Sequence, residues 1–138
     1  MKLYRAMKIA ADGLPEVGPT ARSLGVRRGD QLPKPDVLAI QPVDLIAPET
    51  GGMSVSPNDP TNLPRNRRPP DFGGVGKDPV WQLDETELPS ELKARQDKPD
   101  HAMIEPVAIT SLAEYESALA STRTKWRLVE PKISGDPS

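Results

Sequence analysis

The chain of 138 residues has no cysteine and a single histidine, His101. Without thiols there is no disulfide framework and no thiolate nucleophile. One histidine without cysteine does not make a zinc set either, so no metal site is expected. No apolar run reaches the roughly 18–20 residues of a membrane span. The opening residues, Met1-Lys2-Leu3-Tyr4-Arg5-Ala6-Met7-Lys8, lack the apolar block of a cleavable signal peptide. Aromatic residues are scarce: Trp81, Trp126, Tyr4, Tyr115 and Phe72. Neither sign of charge dominates, with 18 Lys and Arg against 20 Asp and Glu and a formal net charge of −2. That excludes a general affinity for nucleic acid or an anionic membrane and leaves room for local patches.

Proline is what the chain has in excess, 17 of 138 residues, against an ordinary usage of roughly 5%. The length fits one domain, 1–138. With so few aromatics, its core must rest on Leu, Ile, Val, Met and the two tryptophans. Short elements joined by long, proline-stiffened loops are expected.

The stretch Pro48-Glu49-Thr50-Gly51-Gly52-Met53-Ser54-Val55-Ser56 couples a glycine turn to a strand. Glycine takes backbone angles closed to other residues and leaves room for a ligand. Along the strand, Met53 and Val55 point to one side and Ser54 and Ser56 to the other. Such a strand can line a cleft. It can equally be a loop entering a strand, with its serines in solvent.

Residues 2–9 read as a first strand, with Leu3, Met7, Ile9 and Arg5 on one face. A guanidinium on an apolar face keeps its charge, so it needs an anion or several acceptors. Arg5 then pairs with an acid of the fold, turns outward while Tyr4 turns in, or holds a ligand. Residues 11–36 are broken by glycine and proline, with room for a short helix over 20–24 and a solvated turn at Arg27 and Arg28. Short strands are expected over 37–40 and 43–46.

Residues 57–79 form a long irregular loop containing Arg65, Arg67 and Arg68. A loop of this length is often functional, and a proline-rich one can dock a partner. Val80-Trp81-Gln82-Leu83 reads as a strand. Residues 87–97 carry helix-start chemistry: Pro89 and Glu91 early, Lys93 and Arg95 late. Residues 101–109 alternate with both faces largely apolar, which fits a central strand ended or bent at Pro106. Ser111 and Glu114 make a capping box for a helix over 111–123, with Leu112, Tyr115, Ala118 and Leu119 as its core stripe. A last strand over 125–130 and a frayed tail over 133–138 complete the chain.

Three segments together resemble a toxin family: the second "type six exported" effector of bacterial type VI secretion and its relatives, which look like ADP-ribosyltransferases. They are Leu3-Tyr4-Arg5-Ala6, Ala47-Pro48-Glu49-Thr50-Gly51-Gly52-Met53-Ser54-Val55 and Leu88-Pro89-Ser90-Glu91-Leu92-Lys93-Ala94-Arg95-Gln96-Asp97. A strand led by His101 and a helix ending near Trp126 follow in the same order. The resemblance implies a small α+β ADP-ribosyltransferase-like domain with two short β-sheets, few helices and long proline-rich loops. It implies NAD as the cofactor, held by Arg5 with Tyr4, Gly52, Ser54 and Ser56 around it. His101, Arg5 and Glu105 are then the catalytic candidates. The Glu-x-Glu pair of arginine-modifying enzymes is absent, and the family leans instead on a histidine at the position of His101. Glu105 shares a face with His101 in a regular strand, although it matches no family motif.

The chemistry agrees with that reading. Cleaving the bond between nicotinamide and ribose builds positive charge on the ribose, which an acid can stabilise while a cation anchors the pyrophosphate. An imidazole can hydrogen-bond a ribose hydroxyl or act as acid and base. The resemblance further implies a cytotoxic effector that arrests target cells and is neutralised by a cognate immunity protein. It would be made in the bacterial cytoplasm, exported without a signal peptide and active in the recipient cytoplasm. Two other functions compete: a non-catalytic toxin or adaptor working through the 57–79 loop, and another reaction on the same scaffold, such as RNA phosphate transfer. Convergence of Arg5, Ser54 and His101 on one cleft would favour the enzyme. In that arrangement Arg5→Ala is expected to remove activity and leave stability nearly unchanged.

Overall fold

Alternation of side chains builds a largely antiparallel sheet, and both faces of its central strands are covered. In a computed structural model, residues 1–26 and 45–130 are described. The expected turn at Arg27 and Arg28, the strand over 37–40, residues 43 and 44 of the next strand and the tail over 133–138 lie outside them.

The strands, in chain order, are β1 (Lys2–Ala6), β2 (Leu45–Ile46), β3 (Met53–Pro57), β4 (Val80–Asp84), β5 (Leu92–Lys98), β6 (His101–Pro106), β7 (Thr110–Ser111) and β8 (Arg127–Leu128). A six-stranded sheet runs in the order β5-β6-β3-β1-β4-β8, and β2 pairs with β7 in a second, two-stranded sheet. The one α-helix among the described residues, α1, spans Leu112–Ser121. This is a small α+β domain with two sheets. No helix among the described residues is long and apolar enough to cross a membrane.

The main core gathers Leu3 and Met7 from the first strand and its exit, Met53 and Val55 from β3, Ile104 from β6, and Trp81 and Trp126. Tyr115 and Leu119 bring the apolar stripe of α1 onto it. Tyr4 belongs to a smaller cluster with Leu63 and Val80. The first strand is therefore buried on both faces, and it ends before Lys8 and the exposed Ile9. Ser111 caps α1 by accepting from the Glu114 amide at 3.1 Å. The Glu114 carboxylate accepts from the Thr110 hydroxyl at 2.8 Å, so Thr110 takes the place of the box's return bond.

Two expected helices are corrected. Residues 20–24 form a turn: the Ser23 amide donates to Thr20 O and the Ser23 hydroxyl to Gly18 O. Serine and threonine side chains compete here for the backbone groups a helix needs. Residues 87–97 begin at the last residue of a 3-10 turn, Glu85–Glu87, and run into strand β5. Pairing with β6 from Leu92↔Pro106 to Gln96↔Ala102 overrides the local propensity. Lys93 and Arg95, which look placed for a helix C-terminus, instead face Glu105 across the ladder.

The 57–79 loop is more ordered than its composition suggests. It contains 3-10 turns at Pro60–Asn62 and Pro70–Phe72. The amides of Arg67 and Arg68 both donate to Pro64 O, and those of Val75 and Gly76 donate to Arg65 O and Arg68 O. A Cβ at Gly74 would collide with the carbonyl oxygens of Arg65 and Arg68. The glycines allow the loop to fold back on itself.

Candidate active site

The register of β3, β5 and β6 brings three polar side chains into line. Ser54 pairs with Met103, so His101, two residues earlier on the same face, is its diagonal neighbour. His101 Nε2 lies 3.2 Å from Ser54 Oγ. On the other side of the histidine, the β5–β6 register shifts between Gln96 and Lys98. Asp97 is the extra residue of this β-bulge, a device that re-aims a side chain. Its Oδ1 lies 2.6 Å from His101 Nδ1.

Burial works against the charge on Asp97, but the hydrogen bond and charge of His101 outweigh it and hold the carboxyl below the ordinary carboxylate range. An ionised carboxylate only accepts hydrogen bonds. In the neutral form of the imidazole Nδ1 therefore carries the proton and the Nε2 lone pair faces Ser54 Oγ, whereas in the charged form both nitrogens carry one. An acid orienting a base beside a hydroxyl is the arrangement that activates a nucleophile or takes a proton from an acceptor.

His101 and Ser54 line a cavity of about 210 Å³ with Arg5, Ser56, Leu63 and Arg67. A neighbouring pocket of about 460 Å³ shares Ser56, Leu63, Pro64 and His101 with it, and Arg65, Arg68 and Lys98 also line it. The groove thus has a hydroxyl-rich inner end and a cationic outer end. Among the described residues, no three His, Cys, Asp or Glu side chains come together to hold a metal ion.

Arg5 reaches this cavity but is mostly engaged with the backbone. It is only 5% exposed. Nη1 donates to Ser54 O at 2.6 Å, while Nε and Nη2 donate to Ser23 O at 3.1 and 2.9 Å. Longer bonds of 3.3 Å run from Nη2 to Thr20 O and Gly25 O. The sequence calls for an anion or several acceptors around this guanidinium, and among the described residues carbonyl oxygens of β3 and of turn 20–25 supply acceptors. The turn is fixed further by Arg22, whose Nε and Nη2 grip Asp78 at 2.7 and 2.8 Å.

Three other expected site residues have different surroundings. Glu105 shares a face of β6 with His101, but four residues further on, about 13 Å along an extended strand. It is fully buried, and it accepts from Arg95 Nε at 3.0 Å and from the Glu49 amide at 3.1 Å. It thus sits in an ion-pair cluster apart from the cavity. Gly52 leaves room for the protein itself: a Cβ there would meet Ile104 O at 2.5 Å and the Tyr115 hydroxyl at 3.2 Å. That hydroxyl donates to Ile104 O and accepts from the Met53 amide at 3.0 Å. Tyr4 packs in its hydrophobic cluster, and burial raises its phenol pKa. Ser56 is buried at the junction of the two pockets.

Sequence reading does not single out Asp97 or Arg67. Asp97 is hidden by the helix assigned over 87–97. The signal for a hairpin was present in Lys98-Pro99-Asp100, whose proline and aspartate form the turn joining β5 to β6. Arg67 stands among the loop's arginines with nothing to set it apart until the loop is folded.

The model of the family described as Tse2 ADP-ribosyltransferase toxin matches residues 1–127. No curated protein matches the chain.

Proposed function

The chain belongs to the Tse2 ADP-ribosyltransferase toxin family, and from that premise we propose that it consumes NAD at the His101 cavity and thereby arrests the growth of target cells. The observation that carries this is the line Asp97–His101–Ser54 opening on a groove with a cationic end. Arg5, Ser54 and His101 meet at one cavity, which supports an enzyme over a scaffold that works by binding alone.

The residues present fit such a substrate. The inner cavity suits one ring and its ribose, with hydroxyls at Ser54 and Ser56, and the outer arginines suit phosphates. When bound, NAD supplies the ADP-ribose unit and a nicotinamide leaving group. Asp97 holds the imidazole in one tautomer. His101 Nε2 takes a proton from the attacking hydroxyl or amine, whether of water or of a target. Ser54 orients the ring through its hydroxyl, and Arg5 keeps β1, β3 and turn 20–25 in fixed relation around the cavity.

Type VI delivery and a cognate immunity protein over the groove belong to the same proposal, since an enzyme acting on a universal metabolite endangers the cell that makes it. The test is to incubate the pure protein with NAD and a recipient-cell lysate and follow nicotinamide release by chromatography. The wild type should release it, and His101→Ala should be slower by about 10²–10⁴-fold. Equal rates from the two folded proteins, or no release by the wild type, would refute the proposal.

A further inference from the structure

We propose that the 57–79 loop carries a diphosphate-binding site, with Arg67 as its inner contact and Arg65, Arg68 and Lys98 as its outer ones. The proposal rests on the NAD reading only for the identity of the natural diphosphate ester. A dinucleotide-cleaving site needs a cation for the pyrophosphate. Arg5 looks suited to that role in the sequence, yet in the fold its Nε, Nη1 and Nη2 donate to carbonyl oxygens.

Arg67 is the better placed cation. It lines the inner cavity with Ser54 and His101. Its side chain, like those of Arg65 and Lys98, makes no hydrogen bond or ion pair among the described residues. Arg68 gives Nη1 to Phe72 O at 3.0 Å and keeps a buried Nε with no partner. Against these cations stand Asp100, on the outer pocket, and Asp97, already taken up by His101.

The loop is also built to hold the arginines still. Arg67 N and Arg68 N share Pro64 O at 2.8 and 3.0 Å, and Gly76 N donates to Arg68 O at 2.7 Å. Glycine at 74 and 76 is required for the returning chain to pass so close to residues 65–68. A backbone fixed before binding reduces the ordering cost when a ligand arrives. The planar guanidinium fork matches phosphate oxygens. Cations at the inner cavity and in the adjoining pocket suit a linked pair of phosphates better than a single one.

The test is calorimetric titration of the full chain with ADP-ribose, inorganic pyrophosphate and a short single-stranded oligoribonucleotide. The variants are Arg67→Ala, Arg67→Lys and, as a charge-matched control on exposed β8, Arg127→Ala. Tryptophan fluorescence confirms that each is folded. Arg67→Ala should weaken ADP-ribose and pyrophosphate by about 10- to 100-fold, the worth of a charged hydrogen bond. Arg67→Lys should fall between, and Arg127→Ala should match the wild type.

If NAD is not turned over but both probes bind through Arg67, the site stands and the NAD reading fails. If NAD is turned over with the same KM in Arg67→Ala, the NAD reading stands and the site is overturned. Failure of folded wild type to bind either probe also overturns it. So does tighter binding of the oligoribonucleotide than of ADP-ribose.

Discussion

Replacing Arg5 with alanine should destabilise the fold strongly, the opposite of what a cleft arginine suggests in the sequence. The guanidinium is 5% exposed and joins β1 to β3 and to turn 20–25. Two of its acceptors are close: Ser54 O at 2.6 Å, and Ser23 O at 2.9 and 3.1 Å. A hydrogen bond to a charged group is worth about 1.5–3 kcal/mol, so two such acceptors put roughly 3–6 kcal/mol at stake. Water entering the vacated space recovers part of this, which leaves an expected loss of about 3–5 kcal/mol. For a chain of this size that lowers the thermal midpoint by roughly 10–20 °C. Urea unfolding followed by Trp81 and Trp126 fluorescence reads the change, because both rings are 2% exposed in the core. Arg5→Lys keeps the charge without the fork and should fall between. An Arg5→Ala protein with an unchanged midpoint and an unchanged denaturant slope would refute this reasoning.

Asp97→Asn should slow nicotinamide release by about 100-fold or more, because an amide no longer enforces the Nδ1–H tautomer. The Asp97 pKa is lower folded than unfolded, so its contribution to stability is present above its unfolded pKa and is lost as pH falls through the folded one. Below about pH 4 the wild type should therefore lose more of its stability than Asp97→Asn, measured by urea unfolding across pH. Glu105→Gln should cost about 1–3 kcal/mol of stability through its bonds to Arg95 and the Glu49 amide, while the folded variant keeps its rate of nicotinamide release. Tyr115→Phe should cost about 1–3 kcal/mol, because the hydroxyl bridges Ile104 O and the Met53 amide. Ser54→Ala should lower turnover by only about 2- to 10-fold, the worth of one neutral hydrogen bond to the ring.

Period-two patterning located β1, β3, β4 and β6, and the Ser111 cap with the Tyr115 stripe located α1, because those signals are local. Strand β5 was hidden because Glu91, Lys93 and Arg95 are good helix formers, and only Glu105 on the partner strand explains their alternation. The same misreading concealed Asp97, whose role depends on a bulge that exists only once β5 and β6 pair. His101 and Ser54 were legible as site residues through the family resemblance, but their contact is a cross-strand diagonal. Gly52 shows the opposite limit. A glycine needed for close approach looks the same in sequence whether a ligand or Tyr115 comes near it.

Asp97 selects the neutral tautomer of His101 that carries its proton on Nδ1 and leaves Nε2 free to act, and the sole histidine of the chain permits a direct test. A long-range nitrogen–proton NMR spectrum of ¹⁵N-labelled protein at about pH 8, where an imidazole is ordinarily neutral, contains one imidazole and needs no assignment. The wild type should show a protonated Nδ1 and an unprotonated Nε2, with this preference lost in Asp97→Asn. A wild-type spectrum showing the proton on Nε2, or a mixture of tautomers that Asp97→Asn leaves unchanged, would contradict it.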